Sequence, residues 1–188
     1  MVLKIFNSLG NTLQEFTPIN GNKVGLYTCG PTVYDHAHIG NFRAYSWEDI
    51  LKRHLIFKGY SVTQIMNLTD IDDKTIKGSI RENVTLEEYT KKYKKSFFED
   101  VRALNILPAE NYPAATEHIG EMVIIIQKLL DKGIAYKGED DCIYYSIKKF
   151  PEYGKLAGID VTKLKEGARI KQDEYEKEGI GDFALWKA

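Results

Sequence analysis

The sequence has little of several features that mark particular classes of protein. It contains only two cysteines in 188 residues, Cys29 and Cys142, and neither lies in a Cys-x-x-Cys motif or a Cys/His cluster that forms a zinc site by itself. This argues against a disulfide-stabilised scaffold and a self-contained zinc domain. No segment approaches the roughly 18 consecutive apolar residues that a membrane span needs. We therefore expect a cytoplasmic protein with no membrane partner.

An excess of either charge is also missing. The chain has 26 basic and 27 acidic residues, a formal net charge of -1, so it lacks the positive field of a basic nucleic-acid-binding domain. Any contact with RNA must then be local or supplied elsewhere. The hydrophobic share of 43% is ample for a buried core. The length fits one domain, or one domain with an insertion.

The first third of the chain predicts a strand, a helix and a second strand. Residues 24–28 are β-prone and run directly into Cys29-Gly30-Pro31, which indicates a strand ending in a tight turn. A helix is predicted for residues 39–57 and a second strand for residues 61–69. The order predicts a βαβ unit with parallel strands, the opening of a nucleotide-binding α/β fold. The helix's predicted buried stripe is Trp47, Ile50, Leu51, His54 and Leu55.

Two further helices and a hairpin follow. Thr85 and Glu88 form a capping box before one helix, and Gly133 ends another. The segments 134–136 and 142–146 flank a short polar stretch and predict a hairpin. The apolar stripe of the first helix is Leu86, Tyr89, Tyr93, Phe97, Val101 and Leu104. That of the second is Ile119, Met122, Val123, Ile126, Leu129 and Leu130.

The turn after the first predicted strand carries the most informative residues. It lies outside the carboxyl end of a strand, where open α/β sheets bind ligands. His38 and Asn41 are three residues apart in the first helical turn, so both side chains can face the same way beside the positive helix end. Gly40 allows a ligand to approach closely. The spacing suits phosphate binding, although a short motif of this kind is by itself more often structural.

The residues around this turn narrow the interpretation. His38-Ile39-Gly40-Asn41 resembles the His-Ile-Gly-His signature of class I aminoacyl-tRNA synthetases. Cys-Gly-Pro-Thr-Val-Tyr-Asp at 29–35 and Asn-Leu-Thr-Asp-Ile-Asp-Asp-Lys at 67–74 resemble the cysteinyl-tRNA synthetase family. Segments 3–9, 103–107 and 182–187 also resemble it, so the likeness runs nearly end to end.

The resemblance implies a fold and a reaction. Residues 1–115 would form the first half of a Rossmann-like, parallel-sheet α/β catalytic domain, and residues 116–188 an incomplete, inserted connective α+β subdomain. The reaction would have two stages, activation of L-cysteine by ATP to cysteinyl adenylate and transfer to tRNA(Cys).

The resemblance also implies site residues. ATP with Mg²⁺ would bind Gly30, Thr32, His38, Gly40 and Asn41, with His38 and Asn41 as the catalytic pair. Many family members have a second histidine at the position of Asn41; an amide still donates a hydrogen bond but carries no charge.

The amino-acid site implied by the resemblance contains Cys29 and Thr69. Cys29 would bind the substrate as one of four ligands to a zinc ion, and a soft metal can select cysteine over serine better than shape can. By residue type alone, a cysteine at a strand end is usually a small buried hydrophobe. Thr69 by itself is as well explained as a cap for the next helix.

Two charged groups have simpler interpretations. Asp70, Asp72 and Asp73 could suggest a magnesium site, but acidic residues at a helix start more often serve the helix dipole, and we prefer that reading. The lysines at 91, 92, 94 and 95 could suggest a tRNA surface, but they occupy the faces left by the aromatic stripe, so we predict a solvated surface.

The chain lacks parts that the family has. The other three zinc ligands, the Lys-Met-Ser-Lys-Ser loop and most tRNA-binding regions would all follow Ala188. We therefore expect a truncated or excised portion that binds tRNA mainly through absent regions and does not hold zinc alone. Three alternatives stay open: the cysteine ligase of mycothiol synthesis, a non-catalytic synthetase-like fragment and a cysteine-independent nucleotidyltransferase.

Overall fold

The computed structural model describes residues 2–158 and 181–188, and the chain forms two compact units. One unit spans Thr17–Ile119, and the other joins Met1–Phe16 to Gly120–Ala188. The predicted division after residue 115, between a catalytic half-domain and a connective subdomain, is a functional one and stays a prediction.

The described part of the chain forms seven strands and four α-helices. They are β1 (Lys4–Asn7), β2 (Thr12–Glu15), β3 (Lys23–Thr28), α1 (Ile39–Phe57), β4 (Ser61–Met66), α2 (Asp73–Glu82), α3 (Leu86–Ala103), α4 (Ile119–Asp131), β5 (Ala135–Lys137), β6 (Ile143–Tyr145) and β7 (Phe183–Trp186). Short 3₁₀ turns occupy Ala115–His118 and Ile147–Lys149.

The first unit is built on a short parallel sheet. Strands β3 and β4 pair in parallel, as predicted, from Lys23 opposite Ser61 to Thr28 opposite Met66. Residues 111–114 run parallel along the other side of β4, where the Met66 and Leu68 amides donate to this segment at 3.0 and 2.8 Å. Among the described residues, no strand pairs with the outer edge of β3. The unit is therefore part of an α/β fold with one open sheet edge.

Helix α1 has the predicted bounds but only part of the predicted buried face. Its buried residues are Phe42, Tyr45, Lys52 and Leu55, and Leu55 belongs to the predicted stripe. Trp47 and Ile50 of that stripe are 64% and 54% exposed, so the prediction was wrong for these two residues. The spacing of apolar residues indicates a helix with an apolar side. It does not show which side is buried, because that depends on residues elsewhere in the chain that pack against the helix.

The core of this unit joins α1, β4 and α3 with the segment after α3. Its buried members are Phe42, Tyr45, Met66, Leu68, Phe97, Val101, Ala109 and Ala114. The aromatic rings meet edge to face, with the centroids of Tyr45 and Phe97 5.5 Å apart at 79°. Helix α3 begins with the predicted capping box, in which the Glu88 amide donates to Thr85 Oγ1 at 3.2 Å.

A buried lysine fixes the segment after α3. The Lys52 side chain is 3% exposed, and its ammonium donates to the Pro108 carbonyl at 2.7 Å and to Glu110 at 2.9 Å. Burial alone would raise the pKa of Glu110, but hydrogen bonds from the Gln64 amide and Lys52 outweigh it and leave that pKa lowered. This pairing positions the segment that runs beside β4.

The second unit is mostly antiparallel. Strands β1 and β2 form one hairpin, and β5, β6 and β7 form a three-stranded sheet that includes the hairpin predicted over residues 134–146. The buried Asp182 carboxylate accepts bonds from Tyr136 Oη at 2.9 Å and the Ile147 amide at 3.0 Å. Cys142 is buried, in agreement with its structural interpretation.

Helix α4 ends as predicted, with Gly133 at a positive φ of 66°. Its predicted stripe is largely not buried, however. Ile126 is the one buried residue of the helix, whereas Val123 is 48% exposed. Within the described part of the chain, no helix combines the length and apolar character needed to cross a membrane.

Candidate nucleotide-binding site

A cavity of about 260 Å³ lies where the chain leaves β3 and enters α1. It is lined by four of the predicted site residues, Gly30, Thr32, His38 and Asn41. The volume falls slightly below the roughly 300 to 1,000 Å³ of complete small-molecule sites, so the cavity suits one end of a nucleotide.

His38 and Asn41 lock each other into the start of α1. His38 is the N-cap, and its Nδ1 accepts a hydrogen bond from the Gly40 amide at 3.1 Å. In return, Asn41 Oδ1 accepts from the His38 amide at 3.0 Å. The neutral His38 ring must then carry its proton on Nε2, and Asn41 keeps both protons of its amide nitrogen. Each side chain therefore retains a hydrogen-bond donor beside the positive end of the helix.

Gly40 is explained by this cap, and it does not line the cavity. A Cβ atom at Gly40 would lie 2.9 Å from His38 Cε1 and 3.0 Å from Nδ1, so a side chain here would displace the imidazole ring. Gly40 was predicted to let a ligand approach closely, but here it is the His38 ring that packs closely against it.

Asn67 ties together the ends of the two strands, a role that the sequence did not reveal. Its Oδ1 accepts from Tyr27 Oη and from the Gly30 amide, both at 3.1 Å, and its Nδ2 donates to Thr69 Oγ1 at 3.2 Å. The only signal in the sequence is its place in the motif at 67–74. Asn67 thus positions Gly30 and Thr69, two residues that were predicted to bind ligands.

Cys29 and Thr69 lie outside the cavity lining. Cys29 is an exposed free thiol, so its type-based interpretation as a buried hydrophobe does not hold. Thr69 does not cap the following helix, because Asp72 is the N-cap of α2 and accepts from the Lys74 amide at 2.8 Å. The backbones of Thr69 and Pro31 are joined by a 3.0 Å hydrogen bond, which brings the two strand-end loops side by side.

Two ionisable groups of α1 face this region. Burial, aided by Glu48 and Cys29 nearby, raises the pKa of Tyr45 to about 12, so the phenol that lines the cavity stays neutral. Burial also raises the pKa of Glu48, although a hydrogen bond with Thr28 opposes it. Glu48 Oε2 is buried without a hydrogen-bond partner among the described residues.

The described residues do not form a metal site by themselves. Across residues 2–158 and 181–188, no three His, Cys, Asp or Glu side chains converge closely enough to hold a metal ion. A structural zinc needs four ligands, and Cys29 offers one.

The acidic residues after β4 have structural roles. Asp72 and Asp73 begin α2, as the helix-dipole interpretation predicted. Asp70 differs: its buried carboxylate accepts from Lys94 Nζ at 2.6 Å and from Thr116 Oγ1 at 2.7 Å. Lys94 was predicted to be solvated, and this was wrong, because its side chain is only 28% exposed and reaches inward to Asp70.

Comparison with known proteins identifies the family to which the chain belongs. The model for "tRNA synthetases class I (C) catalytic domain" matches residues 15–188. This chain belongs to that family. The chain is 55% identical over 188 residues to a cysteine–tRNA ligase of Protochlamydia amoebophila. It is also 55% identical over 186 residues to a cysteine–tRNA ligase of Chlamydia felis. In both cases it covers 99% of itself and spans 39% of the relative's length, so it corresponds to an amino-terminal portion.

Solved class I synthetases share the fold. A methionyl-tRNA synthetase of Mycobacterium tuberculosis, in complex with methionyl-adenylate, gives a TM-score of 0.56 at 16% identity and covers 61% of this chain and 23% of its own. A LeuRS of Agrobacterium radiobacter, in a ternary complex with tRNA and LeuAMS, gives 0.54 at 22% identity and covers 66% and 16%. The chain thus has the fold of a partial Rossmann-like α/β domain.

Proposed function

We propose that the full-length protein is a cysteine–tRNA ligase and that this chain holds the phosphates of ATP and part of the amino-acid site. In the first step, a carboxylate oxygen of cysteine attacks the α-phosphorus of ATP, and the bond to the bridging oxygen breaks to release pyrophosphate. In the second step, a hydroxyl of the terminal ribose of tRNA(Cys) attacks the carbonyl carbon of the adenylate, and AMP leaves. The names of the relatives support this reaction, although the chain spans 39% of their length.

The observation that carries the proposal is the reciprocal cap of His38 and Asn41. Both residues are already fixed by hydrogen bonds to the helix start, and both keep a donor. In phosphoryl and nucleotidyl transfer, catalysis depends on positioning and on neutralising charge on the phosphate oxygens. His38 Nε2 and Asn41 Nδ2 would donate to these oxygens, and Thr32 and Gly30 line the same cavity. Mg²⁺ would arrive bound to ATP.

The amino-acid site is proposed beside this cavity. Cys29 and Thr69 follow the ends of β3 and β4, and Asn67 holds Thr69 in place. Cys29 would contribute one ligand to a zinc ion whose remaining ligands are outside the described residues. Binding of tRNA(Cys) mainly by other parts of the protein, and a cytoplasmic location, stay predictions.

Cysteine-dependent exchange of pyrophosphate into ATP tests the proposal in the full-length protein. We expect His38→Asn to lower the exchange rate by about 10²- to 10³-fold, the typical effect of removing one donor to a charged transition state. The thermal midpoint should change little, because asparagine is itself a good N-cap. Cys29→Ser should raise the KM for cysteine without a matching change in the KM for ATP.

The controls separate the alternatives. Full-rate exchange in His38→Asn would show that the cap is only structural and would contradict the proposed role. Exchange without added cysteine would indicate another nucleotidyltransferase. Exchange with cysteine but no charging of tRNA(Cys) would favour a ligase with a different acceptor, such as the amino sugar of mycothiol synthesis.

A further inference from the structure

A groove of about 410 Å³ lies beside the candidate nucleotide cavity, and its lining is rich in cations. Helix α2 contributes Lys74, Lys77 and Arg81, and helix α3 contributes two tyrosine rings. Asp35 is the single acidic side chain among the described residues that line it. In a chain with a formal net charge of -1, this is a local concentration of positive charge.

The three cations form a row. They lie at positions i, i+3 and i+7 of α2, which places them on one helix face over about 10 Å at 1.5 Å per residue. Among the described residues, the Lys77 side chain has no hydrogen-bond or ion-pair partner. The Arg81 side chain is 75% exposed, and its contact with Glu82 is long, at 3.9 Å, whereas Glu82 lies closer to Lys92. Lys77 and Arg81 are thus available to an external anion.

The groove and the nucleotide cavity adjoin each other. Tyr34 and Asp35 line both of them. Lys74 Nζ lies 4.5 Å from the centre of the Tyr34 ring, so a cation and an aromatic face meet where the two spaces join. Proteins usually bind single-stranded nucleic acid with a row of cations that follows the sugar–phosphate backbone and with aromatic rings placed among these cations.

We propose that this groove binds the sugar–phosphate backbone of the single-stranded 3′ end of tRNA as it enters the nucleotide site. The inference rests on the proposed function, in which the terminal ribose must reach the adenylate. The phosphates of the preceding nucleotides must then lie just outside the cavity. The row of cations on α2 adjoins it there and is long enough to contact more than one phosphate.

Binding of tRNA to the full-length protein tests this, measured directly at several salt concentrations. We expect Lys77→Gln and Arg81→Gln each to weaken binding and to reduce the slope of log K against log salt by about one, the effect of losing one phosphate contact. Lys77→Arg should restore binding. The matched control is Lys95→Gln on α3, a lysine whose side chain is 77% exposed and 3.8 Å from Glu99, and it should leave affinity and slope unchanged.

Each outcome bears on the groove separately from the ligase proposal. Wild-type affinity and slope in both glutamine variants would overturn the inference, whether or not the protein exchanges pyrophosphate. Loss of exchange with unchanged tRNA binding would assign the groove to the phosphates of ATP and would also overturn it. If the unsubstituted protein shows no exchange, the ligase proposal fails, while the direct binding measurement still decides whether the groove holds RNA.

Discussion

Gly30 shows at the scale of a single residue how tightly the two strand ends pack. A Cβ atom at this position would lie 1.9 Å from the Asn67 carbonyl oxygen and 2.8 Å from Met66 Cγ. The first of these is a backbone atom, which cannot move away as a flexible side chain can. Gly30 is therefore required by packing as well as by its place in the candidate ATP site.

The substitution Gly30→Ala should lower the free energy of unfolding of unit 17–119 by about 1 to 3 kcal/mol, the typical cost of overpacking. Gly25→Ala in β3 is the matched control, because a Cβ there meets nothing within 4 Å. Urea unfolding can be followed by Trp47 fluorescence in a Trp186→Phe background, since these are the two tryptophans of the chain. Equal midpoints for the two alanine variants would contradict this account.

At the residue scale, local relationships could be predicted from the sequence and distant ones could not. The pairing of His38 with Asn41 follows from helical spacing, as does the capping box of Thr85 and Glu88. The bonds from Asn67 to Tyr27 and Gly30 span 40 and 37 residues, and they depend on which strands pair and in what register. No local pattern contains that information.

At the scale of elements, the bounds of α1 and the starts of α3 and both parallel strands were predictable because caps, turns and period are local signals. The predicted end of the second strand was wrong, since β4 ends at Met66 rather than at residue 69. The elements that pack against each helix could not be predicted. Helix α1 packs Tyr45 against Phe97 of α3, whereas Trp47 is 64% exposed. Periodicity alone could not choose between the two apolar sides of the helix.

Asp70 links three elements through charge. It lies after β4 and accepts bonds from Lys94 of α3 and from Thr116 in the turn before α4. Burial would raise the pKa of Asp70, but the bonds from Lys94 and Thr116 outweigh it and hold the pKa below its ordinary value. The carboxylate therefore stabilises the fold above the ordinary aspartate pKa of about 4, and this stabilisation is lost as pH falls through the lower folded value.

Asp70→Asn should lower the free energy of unfolding at pH 7 by about 3 kcal/mol, the lower end for breaking a buried pair, since Lys94 can still reach water. The difference from wild type should begin to shrink below about pH 4, where Asp70 of the unfolded chain takes up a proton, and it should vanish once the pH falls below the lower pKa of the folded chain. Urea midpoints between pH 7 and 2.5 measure it. Glu99→Gln, which removes an exposed partner 3.8 Å from Lys95, should behave as wild type throughout. A difference that is independent of pH would rule out the charge as its cause.

At the scale of the whole molecule, the chain exposes a second apolar stripe on α1. Trp47, Ile50, His54 and Phe57 follow one another at helical spacing, and Phe57 is 84% exposed. On β3 and β4, the paired Tyr27 and Ile65 are also exposed. Parallel sheets are normally covered on both faces. Because the chain spans 39% of its relatives, we expect the rest of the longer protein to cover these surfaces.

The double variant Ile50→Lys/Phe57→Lys should therefore have opposite effects in the 188-residue chain and in the full-length protein. In the 188-residue chain it should reduce binding of a hydrophobic dye and raise solubility, whereas in the full-length protein it should lower the thermal midpoint. Ile19→Lys is the control, because Ile19 is 98% exposed and belongs to the same unit. An unchanged midpoint in the full-length protein would mean that the stripe faces water there too.

The outer edge of β3 has a consequence for how this polypeptide can be used. No strand in the described part of the chain pairs with this edge, so its backbone groups can accept another strand. If the missing complement were supplied as a separate chain, pairing would become a bimolecular reaction, and a complement at a hundred times its Kd would add about 2.7 kcal/mol to the stability of the folded chain. The folded fraction could then be titrated by concentration, which would make the two pieces a reconstitutable split protein.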